Sequence, residues 1–138
     1  MVFWRLILEA SSNPLNLGGN QAHLLSYNRQ VPGPRLEAKP ANTVRIRFTN
    51  NFPQPTNLHY HSLHVPPTGN ADNVFLDIPA GETLTYEFTI PQNHSAGTFW
   101  YHPHRHGLVA EQVLSGLAGL FVVRGELDEI PDIKAAQE

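Results

Sequence analysis

This 138-residue chain predicts an all-β fold, on the strength of three observations. Thr43-Val-Arg-Ile-Arg-Phe48 and Thr83-Leu-Thr-Tyr-Glu-Phe-Thr-Ile90 alternate with period two, which turns one side of each run to a core and the other to water, the pattern of half-buried antiparallel strands. The remaining β-branched and aromatic runs are short, and clusters of Pro, Gly and Asn separate them. The twelve prolines and ten glycines fall mostly between runs, as in Val31-Pro-Gly-Pro34 and Val65-Pro-Pro-Thr-Gly69, so they mark turns and not disorder.

The elements follow in order. In Val2–Glu9, Phe3, Arg5 and Ile7 alternate with Trp4, Leu6 and Leu8; Arg5 breaks the apolar run that a signal peptide needs, so the segment reads as the first strand of a mature or trimmed chain. Strands are expected at His23–Tyr27, Arg35–Lys39, Thr43–Asn50, Thr56–His61, Thr83–Ile90, Thr98–His102 and Leu117–Arg124, each bounded by turn residues. A helical stretch is expected at Leu108–Leu114. Phe48, Phe88, Phe121 and Val123 should line the core, Trp100 and Tyr101 should pack in it, and Gly116 and Gly119 should let backbones approach where the last strand opens. Residues 1–125 then form one domain. Residues 126–138 form a charged tail or the start of an interdomain linker; with Pro131 and no apolar face beyond Ile130 and Ile133, this segment should be loosely held.

Composition excludes several functions. The net charge of -3 and the lack of a local Lys/Arg cluster give no surface for phosphate neutralisation, so nucleic acid is not an expected partner. No apolar stretch approaches the ~20 residues of a spanning helix, so no membrane crossing is expected. With no cysteine, the chain has no disulfide, no thiolate nucleophile and no thiolate metal ligand.

Metal chemistry remains, and the histidines point to it. His59-Tyr60-His61 and His102-Pro103-His104 each place two imidazoles at i, i+2, and on an extended backbone such residues project to the same side. Two such pairs on neighbouring strands make an all-nitrogen site, suited to copper or zinc and not to calcium, magnesium or an iron–sulfur centre. His64 and His106 lie near enough in sequence to be groups that orient a ligand or pass protons, or simply to face solvent. His23 and His94 read as ordinary loop or strand residues.

Four segments carry a family resemblance: Tyr27-Asn-Arg-Gln-Val-Pro-Gly-Pro-Arg-Leu36, Leu58-His-Tyr-His-Ser-Leu63, Gly97-Thr-Phe-Trp-Tyr-His-Pro-His-Arg-His-Gly107 and Gly116-Leu-Ala-Gly-Leu120. In type and order they resemble the N-terminal cupredoxin domain of multicopper oxidases, the laccase and ascorbate oxidase family, from about Leu6 to Arg124. The resemblance implies a cupredoxin-like Greek-key β-sandwich that supplies half of a trinuclear copper cluster reducing dioxygen to water. By position, His59 would ligate the type 2 copper, His61 one type 3 copper, and His102 and His104 would divide between the type 3 pair. The family also carries an acidic residue after the first pair, which makes Asp72 a candidate proton relay and Asp77 the runner-up; an Asx turn in Gly69-Asn-Ala-Asp-Asn73 explains Asp72 equally well. A C-terminal cupredoxin domain would bring the other ligands and the cysteine-ligated type 1 copper, and the setting would be periplasmic or extracellular.

Two departures bear on geometry. Ser62 stands where the family has glycine, so a positive φ there would cost energy, whereas Ala41-Asn42 replaces a Gly-acidic turn that Asn can still form. Three functional readings follow: a domain of an oxidase acting on phenolic or metal-ion substrates; a free-standing module that binds copper, or zinc as a substitute, without oxidase activity; and an assembly domain with a vestigial site. In each, the face bearing the His pairs is a candidate surface for self-association.

Overall fold

The computed structural model describes residues 3–136. Val2, where the first expected strand begins, and the last two residues of the tail lie outside them. Within the described residues the strands are β1 (Phe3–Leu17), β2 (Asn20–Tyr27), β3 (Gly33–Ala38), β4 (Thr43–Asn51), β5 (His59–His61), β6 (Thr83–Thr89), β7 (Gly97–His102) and β8 (Gly119–Val123), with a short helix α1 (Val109–Leu114) between the last two. They form two four-stranded sheets, ordered β2-β1-β4-β6 and β3-β8-β7-β5, in a Greek-key sandwich. No described helix is long and apolar enough to cross a membrane.

The sheets are mixed, which refines the antiparallel expectation. β4 runs antiparallel to β6, as alternation suggested, but parallel to β1, with Phe3 opposite Thr43 and Ser11 opposite Asn51; β3 likewise runs parallel to β8. β1 also continues past Glu9 to Leu17. Its second half pairs antiparallel with β2 through a turn at Gly18 and Gly19, whose φ values of 59° and 89° suit glycine. Beyond Ser11 the β4 side of β1 is no longer paired, and Pro14, which has no N–H to give, falls in that singly paired stretch.

The core lies between the sheets and is rich in aromatic rings. Phe48, Phe88, Phe121 and Val123 are buried as expected, with Tyr27, Tyr60, Tyr86 and Tyr101 among them. Tyr60 meets Phe88 at 4.6 Å between centroids and Tyr27 meets Tyr101 at 5.1 Å. The Tyr86 hydroxyl accepts from the backbone N–H of Leu58 at 2.9 Å, tying one sheet to the segment that leads into β5 on the other. At Gly119 a Cβ would meet Tyr101 Cζ at 2.2 Å, so only glycine lets β8 lie this close to β7.

The charged tail carries local structure: Glu126–Glu129 forms a 3-10 turn and Pro131–Lys134 a turn of α-helix, α2, with Arg124 bonded to Asp128 at 3.0 Å and the Gly125 N–H donating to Asp128 Oδ2 at 2.7 Å. Those bonds hold the Asp128 carboxyl below its usual range, the Gly125 N–H contributing most and Arg124 next. The Ala41-Asn42 turn is also less comfortable than the sequence implied. Asn42 Oδ1 accepts the Lys39 N–H at 2.9 Å, yet Ala41 takes φ 66°, the left-handed region where a Cβ is costly.

Candidate metal centre

β5 is the edge strand of the second sheet, and its antiparallel register with β7 sets His59 opposite His102, Tyr60 opposite Tyr101 and His61 opposite Trp100. Alternation turns the two tyrosines into the core and leaves His59, His61, Trp100 and His102 on the outer face. One ring nitrogen each from His59, His61 and His102 lies within 4.8 Å of the other two. His104 follows the strand's end at His102 and is not part of this trio; its ring centroid stands 5.1 Å from that of His59 and 6.1 Å from that of His102.

Hydrogen bonds decide which nitrogens face the shared space. His59 Nδ1 donates to Asp72 Oδ1 at 2.8 Å, and the same oxygen accepts the Tyr60 N–H at 2.9 Å, so His59 presents Nε2. His102 Nδ1 donates to the Pro103 carbonyl at 2.7 Å, which leaves its Nε2 3.4 Å from His61 Nδ1. Burial pushes His102 down to about 4, with the neighbouring His59, His61 and His104 rings adding to the effect and the Pro103 carbonyl opposing it. At neutral pH this ring is uncharged and its lone pair is free to bind a cation. Nitrogens about 2 Å from one ion lie at most about 4 Å apart. A spread of up to 4.8 Å therefore suits an ion that draws the rings slightly inward, or more than one ion between them. Neutral imidazole without carboxylate or thiolate fits copper, and zinc second.

The other candidates are placed as follows. Asp72 is buried behind His59, with its own N–H bonded to the Pro66 carbonyl at 3.0 Å. Asp77, the runner-up, is exposed and pairs with Arg105 at 3.1 Å. The rings of His64 and His106 are exposed and make no hydrogen bond to the four candidate ligands among the described residues. His94 is not an ordinary loop residue: it is buried, its Nδ1 donates to the Ser95 carbonyl at 2.8 Å and its Nε2 accepts the His64 N–H at 3.1 Å, which pins the loop after β5. That loop opens at Ser62 with φ 67°, the positive value its place after the His pair suggested. His23 bonds Ser12 Oγ at 2.7 Å, on the hairpin of the other sheet.

Sequence reasoning missed two neighbours of the site. Trp100 is not core packing; it is half-buried and stacks on His102 at 3.9 Å between centroids and 27° between planes, with His61 at 5.1 Å on the same indole. Its place two residues before His102 on β7, on the same face of the strand, was the available signal. Gln112 on α1 is fully buried, accepts the Thr56 hydroxyl at 2.8 Å and donates to the Pro55 carbonyl at 2.9 Å, fixing the helix after one His pair against the segment before the other. No local pattern announces such a contact.

A family model described as multicopper oxidase matches residues 10–128. The chain belongs to the multicopper oxidases. Among curated relatives, the multicopper oxidase mco of Staphylococcus aureus is 34% identical over 110 residues, which are 78% of this chain and 24% of that protein. Copper resistance protein A of Pseudomonas syringae pv. tomato is 35% identical over 70% of this chain and 16% of its own; laccase-4 of Thanatephorus cucumeris is 33% identical over 76% and 20%. The solved multicopper oxidase of Campylobacter jejuni, described as a metallo-oxidase, superposes with a TM-score of 0.79 at 38% identity, over 88% of this chain and 26% of that one. This multicopper oxidase chain thus spans about a quarter or less of the length of these curated relatives.

Proposed function

We propose that this chain supplies half of the trinuclear copper cluster of a multicopper oxidase, with His59, His61, His102 and His104 as its ligands. The observation that carries the reading is the convergence of His59 Nε2, His61 Nδ1 and His102 Nε2 on one space, with two of the three rings fixed through their other nitrogen. By family position His59 would hold the type 2 ion and the other three the type 3 pair. Copper bound there would supply one-electron steps for the reduction of dioxygen to water. The remaining ligands, the type 1 cysteine and the oxidised substrate, phenolic or metal-ion, belong to a partner cupredoxin domain, since this chain has no cysteine. A periplasmic or extracellular setting is part of the same reading and rests on family membership alone.

The chain's own groups prepare the site. Asp72 Oδ1 accepts the Nδ1 proton of His59 and so makes Nε2 the nitrogen whose lone pair faces the site in the neutral ring. Asp72 Oδ2 has no hydrogen-bond partner among the described residues, and it is the atom at which a proton would be carried from solvent toward the site. Tyr60 takes no part in that traffic, because burial raises its phenol well above the ordinary value and holds its proton. Titration of the full chain with cupric ion should show tight binding that is lost when His102 and His104 are both replaced by alanine. Unchanged affinity and stoichiometry in that variant would refute the assignment. The loaded chain alone should neither oxidise phenols nor turn intensely blue.

A further inference from the structure

The four candidate ligands come from two strands and from the turn beyond one of them, and His104 has left the regular ladder at His102. Something other than strand pairing must fix where His104 stands. Its backbone N–H donates to Asn57 Oδ1 at 2.7 Å, among the shorter bonds to a backbone donor around the site. Asn57 is fully buried, two residues before His59, and the other end of its amide is also engaged: Nδ2 donates to the Val74 carbonyl at 2.9 Å and to the Leu76 carbonyl at 3.0 Å. Two carbonyls on one side and an N–H on the other leave a single orientation for the amide.

Val74 and Leu76 belong to the segment that follows Asp72, the partner of His59. One side chain therefore joins the approach to His59, the loop carrying its carboxylate and the main chain of His104. We infer that Asn57 is a positioning residue for the metal centre, holding His104 in place against His59 through the His104 main chain. No other residue type meets these demands at this reach. Aspartate would set a carboxylate against two carbonyls, leucine would leave three part-buried backbone groups without this partner, and serine would be too short.

The inference rests on the copper reading for its function but not for its geometry, and the test separates them. Amide hydrogen exchange in the metal-free chain should find the His104 N–H protected in the wild type and exposed in Asn57→Leu; an unprotected His104 amide in the wild type would overturn the positioning claim whatever copper does. Cupric ion titrations are then run on the wild type, Asn57→Leu, His104→Ala and the double variant, with electron paramagnetic resonance recording the nitrogen ligation. Asn57→Leu should weaken copper binding by about 10–100-fold, the usual effect of losing a group that orients a ligand. It should reproduce the spectrum of His104→Ala and have less than about a twofold further effect in the His104→Ala background, since two changes acting through one group do not add. Equal losses in both backgrounds, as a general loosening of the fold would produce, would overturn it. Should Asn57→Leu fail to fold, Asn57→Ser, which fits the space, is read in the same cycle. A wild type that binds copper no better than the variant lacking His102 and His104 would refute the copper reading, while the exchange data still decide the placement of His104.

Discussion

The two sheets of this domain face one core but are built to different rules. In β2-β1-β4-β6 the strands are long, their inner residues Val44, Ile46, Phe48, Tyr86 and Phe88 are buried, and the outer face is closed by plain cross-strand pairs such as Thr43 with Thr89 and Thr49 with Thr83, both at 2.9 Å. In β3-β8-β7-β5 the edge strand has three residues, two of them imidazoles held on its outer face. The first sheet is regular because nothing but packing is asked of it. The second gives up length at its edge, where the short pairing is supplemented by side chains: Asp72 to the Tyr60 N–H, Tyr86 to the Leu58 N–H and His94 to the His64 N–H. Rigidity at the site thus comes from buried polar groups bonded to backbone, and rigidity of the scaffold from apolar area.

The contrast can be broken from either side, and the largest effect should come from the scaffold. Phe48→Ala empties a fully buried site and should cost about 3–5 kcal/mol in denaturant unfolding. Copper affinity of the folded protein should stay within about twofold, because the ring contacts of Phe48 are with Tyr27 and Tyr86 and not with a candidate ligand; a matching loss of affinity would show the sheets to be one functional unit. Asp72→Ala should do the reverse. It leaves His59 Nδ1 and the Tyr60 N–H without their acceptor and should weaken copper binding by about 10–100-fold in competition titrations, with a stability loss of about 1–3 kcal/mol for the orphaned donors.

A smaller effect sharpens the comparison. Each region carries a non-glycine residue in the left-handed region, Ala41 before β4 and Ser62 after β5. Relief of about 1–2 kcal/mol of Cβ strain, less about 0.5–1 kcal/mol for the freer unfolded chain, should make Ala41→Gly more stable by about 0.5–1 kcal/mol. Ser62→Gly should gain a similar amount in thermal melts but alone should alter copper binding, since its turn is the exit from the ligand strand. The smallest effect belongs to the tail. Because the Asp128 carboxyl is held below its usual range, its bonds to Gly125 and Arg124 contribute above the ordinary carboxylate pKa and are lost as pH falls through the lowered one. Amide resonances of 125–134 should then shift in acid while those of β4 stay put.

Legibility followed the range of the interactions. Alternation within β4 and β6 is local and was sufficient for both strands, and the i, i+2 spacing of the His pairs is local and sufficient for their common face. β1 runs past the expected end at Glu9 and through Pro14, which only the departure of β4 at Ser11 makes acceptable. β5 is shorter than the expected strand Thr56–His61, because the polar groups of Thr56, Asn57 and Leu58 bond to Ile78, His104 and Tyr86 from distant parts of the chain. At Asp72 the sequence supports a proton relay and an Asx turn equally, and its bond to His59 is a contact no local pattern carries. Asn57, Gln112 and His94 had no local signature, since what defines each is a partner at least 30 residues away.

The stack of Trp100 on His102 has an optical consequence. The chain has two tryptophans, and the other, Trp4, belongs to β1 in the opposite sheet. An ion arriving on His102 comes within a ring's width of one emitter, 3.9 Å from indole to imidazole. Cupric ion, with its unpaired electron, quenches a neighbouring indole, and zinc, with a filled d shell, does not. In a Trp4→Phe background a fall in the emission of Trp100 therefore reports cupric ion at the site, while zinc leaves it bright, so the domain carries its own fluorescent gauge of copper loading.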